Sequence, residues 1–298
     1  MTLRVLGTET ATDDVGVARG RGRSLLVVTL LTALVVACDS SDPQDATPEP
    51  VPCDMPAASR PTVVLVHGAW ADTSSWDGEV ASLQDSGYEA RAIANPLEDL
   101  TTDAASVAEF LTTISAPIVL VGHSYGGAVI TNAAAGVAGV KALVYVDAAA
   151  PEPGETNGQL SGSRSVLTTG SPATLYRTVP RPSDEPGAHE LYLRKAVFVK
   201  DFASDLPRRE AVRLWASQRG ASTAAFMTPS RTAAWKTIPS WFFVSTGDRI
   251  ITPASQLAMA RRAGARVTKF RGGSHLTLIS HPQAVAAVIQ SAICDATR

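Results

Sequence analysis

Apolar and polar positions alternate in blocks along most of this chain. Thr62–Val66 is a short run of β-branched and apolar residues, the pattern of a strand buried on both faces. Ser75–Ser86 follows, with Trp76, Val80 and Leu83 at helical spacing and Gly87 as a stop. The pattern then gives a strand over Tyr88–Ala94, a helix over Asp99–Ile114, a strand over Ile118–Val121, a helix over Gly126–Val137 and a strand over Ala142–Val146. After an interruption it resumes with a strand over Trp241–Ser245, a helix over Ser255–Ala263, a strand over Arg266–Phe270 and a closing helix over Pro282–Ile293. Strands alternating with helices predict an α/β fold, a doubly wound and mostly parallel sheet covered on both faces. Ligands of such sheets bind beyond the carboxyl ends of the strands. The interruption, at about 153–237, holds helix-like stretches over His189–Val199 and Arg208–Arg219, broken by Pro172, Pro180, Pro182, Pro186 and Pro207. It reads as a helical lid inserted between two strands of the sheet.

The first 61 residues follow a different pattern. Leu25–Ala37 is an apolar run of thirteen positions preceded by Arg19, Arg21 and Arg23. A membrane-spanning helix needs roughly 18 or more such positions, whereas a secretory signal needs a basic flank and a shorter apolar core. Residues 1–37 therefore read as a signal peptide. Its end, Leu34-Val35-Val36-Ala37-Cys38, resembles the lipobox of bacterial lipoproteins, which implies cleavage before Cys38 and a lipid on that cysteine. The alternative is an ordinary secretory signal with an incidental cysteine, and a secreted protein. Residues 38–61 are polar, with Pro43, Pro48, Pro50, Pro52, Pro56 and Pro61, the composition of a semi-rigid tether. The α/β domain then occupies 62–298.

Composition narrows the field. With 298 residues, 45% of them hydrophobic and 18% charged, the chain has ample material for a core, and global disorder is excluded. A net charge of −2 gives no basic footprint for nucleic acid. Three cysteines, none in a CxxC pair, neither build a disulfide scaffold nor show metal-ligand spacing, so no metal and no cofactor are expected. In an exported protein Cys53, ahead of the domain, and Cys294, in the last helix, make a disulfide candidate.

The chemistry-bearing residues sit just after strands. Gly122-His123-Ser124-Tyr125-Gly126-Gly127 places a GxSxG pattern between a strand and a helix, where the serine stands on a sharp turn with its hydroxyl exposed as a nucleophile. A hydroxyl needs a base to take its proton. His275, on the loop after the last strand, is favoured over His281, which opens the closing helix. His67 and His123 read as structural, and His189 as a lid residue. The imidazole needs an acid to orient it. Asp248, after strand Trp241–Ser245, is preferred to Asp147, after strand Ala142–Val146. Both obey the chain order serine, acid, histidine. Two backbone donors must receive the oxyanion, and Tyr125 and Ala69 of His67-Gly68-Ala69-Trp70 are in position to supply them.

These motifs resemble the α/β-hydrolase superfamily across residues 62–293. His67-Gly68-Ala69-Trp70, the serine elbow and Ala142-Leu143-Val144-Tyr145-Val146 look like the branch of small bacterial esterases and the plant methylesterase and hydroxynitrile lyase group. The resemblance implies a serine esterase acting on a small ester through an acyl-enzyme, with Ser124, Asp248 and His275 as triad and Ala69 and Tyr125 as oxyanion hole. Leu276 stands where lyases of this branch carry a lysine, which counts against lyase activity. A perhydrolase on the same triad, or a surface binding protein with weak turnover, are the other readings. Tyr192, Phe198, Phe202, Trp215 and Phe226, with Trp70 and Trp76, are candidates to line an apolar pocket or to hold the lid on the core. If the lipobox reading holds, Cys38→Ala expressed with its own leader moves the protein from the membrane to the soluble fraction. Continued membrane association of that variant excludes the anchor.

Overall fold

Strand β1 (Thr62–Val66) is buried at every position, and it is an interior strand of the sheet on which the domain is built. The computed structural model describes Cys53, Met55, Pro56 and residues 59–296, apart from 116 and 182–188. The signal peptide, the lipidation candidate Cys38 and most of the tether lie outside the described residues. Strands β2 (Glu89–Ile93), β3 (Ile118–His123), β4 (Val140–Val146), β8 (Ser240–Ser245) and β9 (Arg266–Phe270) join β1 in a sheet of order β2-β1-β3-β4-β8-β9. All five pairings are parallel. The central strands are apolar on both sides because helices cover both faces. Helix Leu100–Thr112 packs on helix Tyr125–Ala133, and helix Asp77–Asp85 packs on the closing helix Pro282–Ala296. Asp99 caps the former by accepting from the Thr101 and Thr102 N–H groups, an arrangement worth about 1 kcal/mol.

The segment between β4 and β8 forms a cap, and it is not purely helical. Strands β5 (Tyr176–Pro180), β6 (His189–Leu193) and β7 (Ala221–Ser222) make a small antiparallel sheet, joined by helix Arg208–Ser217 and a π-turn at Phe198–Phe202. The helix expected over His189–Val199 therefore begins only at Lys195. Its first half is extended because the Leu193 main chain is engaged: its N–H donates to the Gln218 side chain at 2.9 Å, and its carbonyl accepts from Trp215 Nε1 at 3.1 Å. Arg194, at ψ 145°, separates strand from helix. The cap is tied to the core at several points. Trp70 Nε1 donates to Leu191 O at 2.8 Å, Arg219 Nη1 to Asn95 O at 2.8 Å, and Ser165 Oγ to Ile250 O at 2.6 Å.

Two histidines are consumed by the fold. His67 donates from Nδ1 to Gly68 O at 2.9 Å and accepts the Asn95 N–H on Nε2 at 3.0 Å. His123 donates from Nε2 to His275 O at 2.8 Å. Burial pushes His67 down to about 4 and His123 well below its ordinary value. Cys53 and Cys294 are joined by a disulfide, with Cα atoms 5.6 Å apart across 241 positions of sequence.

Two stability predictions follow from these features. A crosslink closing so long a loop removes about 5 kcal/mol of unfolded-state entropy in the chain-entropy model, so Cys53→Ser should lower the denaturant midpoint by an amount worth roughly 2–5 kcal/mol. An unchanged midpoint would show that the bridge constrains nothing. The histidines set a pH dependence. Their folded pKa values lie below the unfolded value of about 6.5, so between those limits the unfolded chain binds more protons. The stability His67 contributes is complete above about pH 6.5 and is lost as pH falls towards about 4, by up to roughly 1.4 kcal/mol per pH unit, and His123 acts in the same sense. Urea midpoints measured across that range should fall with acidification, and substitution of His67 by Gln should flatten the slope.

Candidate active site

Ser124 sits at φ 55°, ψ −124° between β3 and the helix that starts at Tyr125. That conformation is strained for a residue with a side chain, and its surroundings allow no other. A Cβ on Gly122 would come 2.6 Å from the carbonyl oxygen of Gly126, so the chain turns this sharply only with glycine there. The serine's own main chain is pinned: its N–H donates to Val146 O at 3.2 Å, and its carbonyl accepts from Ala149 N–H at 3.1 Å.

The hydroxyl meets His275. Ser124 Oγ lies 2.7 Å from His275 Nε2, and His275 Nδ1 lies 2.8 Å from Asp248 Oδ2. All three side chains are buried under the cap, Ser124 being 4% exposed and His275 fully enclosed. Asp248 is held in turn by the N–H groups of Ile250 and Ile251, at 2.7 and 3.2 Å on Oδ1, and by Gln256 Nε2 at 2.9 Å on Oδ2. Each of these partners donates, and so does His275 Nδ1, which suits an ionised carboxylate. Burial pushes His275 down to about 3, which keeps the ring neutral and its Nε2 lone pair available. The charge on Asp248 acts in the opposite sense and stabilises an imidazolium when one forms.

The loop after β1 runs against Ser124. A Cβ on Gly68 would stand 2.6 Å from Ser124 Cβ, so glycine is what lets Ala69 approach. Among the described residues neither the Ala69 nor the Tyr125 N–H has a hydrogen-bond acceptor, leaving two backbone donors unused next to the serine. The other sequence candidates fall elsewhere. His281 contacts Ser280 Oγ at 2.8 Å and packs at a tilt against Phe270, and Asp147 turns to Ser245 rather than to His275.

Aromatic side chains roof the site. The Phe202 ring centroid is 5.0 Å from that of His275 and 5.8 Å from that of Trp70, while Trp70 stacks on Phe226 at 5.3 Å. Trp70, Phe198, Phe202, Leu214, Leu276 and Ile279 line a small cleft of about 30 Å³ together with Ala71, Asp72, Ser74, Ser75, Ser217 and Gln218. Tyr192 and Trp215 do not join them. They border an outer groove with Arg177, Arg194 and Lys195. Sequence reading passed over Tyr176, which stacks 6.0 Å from Trp70, as well as Gln256 and Asp205. Asp205 accepts from Ser274 Oγ and, at 2.6 Å, from Ser280 Oγ, so a cap residue grips the loop that carries His275. Only the alternation of aromatics in the cap could have flagged Tyr176. A glutamine on a helix and an aspartate in a loop carry no local signal. Among the described residues no cluster of His, Cys, Asp and Glu could hold a metal ion.

Comparison with known proteins agrees with this architecture. The model of the alpha/beta hydrolase family matches residues 63–288. An alpha/beta hydrolase from Aspergillus novofumigatus, nvfD, is 26% identical over 273 residues, spanning 80% of this chain and 98% of its own length. A carbendazim hydrolyzing esterase from a Nocardioides species is 34% identical over 110 residues, 31% of this chain and 44% of that enzyme. Among solved structures, polyneuridine aldehyde esterase superposes with a TM-score of 0.65 at 16% identity, covering 78% of this chain and 98% of its own, a likeness of fold. With a serine elbow on a parallel six-stranded sheet and a family match over most of its length, this chain belongs to the alpha/beta hydrolase family.

Proposed function

We propose that this hydrolase is a serine esterase that cleaves small uncharged carboxylic esters through an acyl-enzyme. The observation that carries the reading is the unbroken chain Ser124 Oγ, His275, Asp248, with contacts of 2.7 and 2.8 Å. In the first half-reaction Ser124 Oγ attacks the ester carbonyl carbon while its proton passes to His275 Nε2. The tetrahedral oxyanion is received by the free N–H groups of Ala69 and Tyr125, and one such donor is worth roughly 3 kcal/mol of barrier. Collapse expels the alcohol, which takes the proton from Nε2. In the second half a water gives its proton to Nε2 and attacks the acyl carbon, and Ser124 Oγ leaves with that proton. The Trp70, Phe198, Phe202 and Leu276 side chains near the triad favour a small substrate without charge, since burying an unpaired charge against them is costly. The esterase among the relatives supports an ester bond as target. The basic flank, apolar run and cysteine at residues 19–38 support action outside the cytoplasm, with the protein held at a membrane through Cys38.

The test combines labelling with kinetics. A fluorophosphonate should modify Ser124 and no other residue. Ser124→Ala should lower kcat on short p-nitrophenyl esters by about 10,000-fold or more, with the fold intact by circular dichroism. Labelling elsewhere, or undiminished turnover by the variant, would rule the reading out.

A further inference from the structure

Beside the triad lies a second buried carboxyl group. Asp147 follows β4 at φ 45°, one residue past Val146, the strand end to which the nucleophile's N–H is bound. Its side chain is fully buried. Oδ1 accepts the Ser245 N–H at 2.7 Å, and Oδ2 lies 2.7 Å from Ser245 Oγ. Ser245 Oγ in turn lies 2.8 Å from Thr277 Oγ1, which lies 2.7 Å from the carbonyl oxygen of Ser274.

Counting hydrogens along this path fixes its direction. A hydroxyl carries one hydrogen and a carbonyl carries none. Thr277 therefore commits its hydrogen to Ser274 O. Ser245 must supply the hydrogen between itself and Thr277. Nothing then remains for the contact between Ser245 and Asp147 except a hydrogen on the carboxyl. With Asp147 ionised, two hydroxyl hydrogens would have to serve three contacts, and one of them would bring oxygen lone pairs together at 2.7 or 2.8 Å among buried side chains. Asp248 presents the opposite case, because all four of its partners are donors and none of them leaves room for a proton.

We propose that Asp147 is a neutral carboxylic acid and a positioning residue, donating the first hydrogen of a one-way chain through Ser245 and Thr277 that fixes the Ser274 carbonyl and with it the His275 loop. The proposal rests on the serine-esterase reading and deepens it by dividing labour between two buried acids. Asp248 holds the single negative charge against His275. Asp147 stays uncharged, so that the two do not repel and the loop remains anchored to β4 and β8. Burial pushes both carboxyls well above the ordinary carboxylate range, and the nearby Asp248 charge adds to the rise of Asp147, so it is the donor and acceptor pattern around each acid that tells them apart. The titratable groups that face this cluster are Asp248, approached through Gln256, whose Nε2 is 3.5 Å from Asp147 Oδ1, His275, and, from the cap, Asp205 on the Ser274 hydroxyl.

An asparagine can copy both Asp147 contacts without a charge: its oxygen accepts the Ser245 N–H and its amide donates to Ser245 Oγ. Asp147→Asn should accordingly retain kcat within about threefold of wild type with an unchanged pH profile. Asp147→Ala, which cannot donate, should lose roughly 10- to 100-fold in kcat with little change in KM, the scale on which a misplaced catalytic group costs rate. The wild type minus Asp147→Asn infrared difference spectrum at neutral pH should contain the carbonyl stretch of a protonated carboxyl. Taking the difference removes the contribution of Glu79, another buried acid whose pKa is raised. An Asn variant as impaired as the Ala variant, or a difference spectrum showing an ionised carboxylate, overturns the proposal. Should Asp147→Ala fail to fold, the Asn variant and the spectrum still decide. The esterase reading fails separately: loss of activity in Asp147→Asn with fluorophosphonate still labelling Ser124 sinks this proposal alone. The infrared band needs no turnover at all.

Discussion

The strained turn at Ser124 is the constraint on which the remainder of the site is organised. A residue with a side chain at φ 55° persists only where its surroundings leave no relaxed alternative. Here the alternatives are closed by β1, β3 and β4, whose carboxyl ends meet around the serine. The parallel register brings Val66 level with Gly122 and Val146 level with His123, so the His67–Trp70 loop, the Ser124 turn and the Asp147 turn leave the sheet side by side. The sheet is thus a jig. Its apolar strands supply the burial energy, and their ends convert that energy into a fixed geometry.

Much of this was legible in the chain because it is local. Continuous apolar runs, glycines two before and two after a serine, and a histidine after the last strand are each contained within a few residues. The choice between Asp147 and Asp248 was harder, since both follow a strand and both satisfy the chain order. It turned on which strand lies beside β9, which is a property of sheet topology. The cap was misjudged for a related reason. His189–Leu193 is short, half-buried and mixed in polarity, so no periodicity distinguishes it from the helix that follows. Its conformation is set by Gln218 and Trp215, more than twenty residues away. Tyr192 and Trp215 stayed open between pocket lining and lid packing for the same reason, and Trp215 packs against the core: an aromatic residue in an amphipathic segment looks alike whether it faces a cleft or an outer groove.

Placing two carboxyl groups in one dry cluster carries an electrostatic penalty unless one of them is neutral. The structure meets this by surrounding one acid with donors and giving the other an acceptor to donate to. Gln256 stands between them, with Nε2 on Asp248 Oδ2 and on the Ile251 carbonyl. It binds the acid-bearing loop to the following helix, with no need for a second ion. None of these partners belongs to a motif, and their contribution is visible only once the helix is seen to dock.

The grip of Asp205 on Ser274 and Ser280 joins two things that are usually considered apart. The cap and the loop that carries His275 are therefore not independent parts. A change in the cap that displaces Asp205 also removes two hydrogen bonds from the turn around His275, so a substitution far from Ser124 in the chain can alter the contact His275 makes with it.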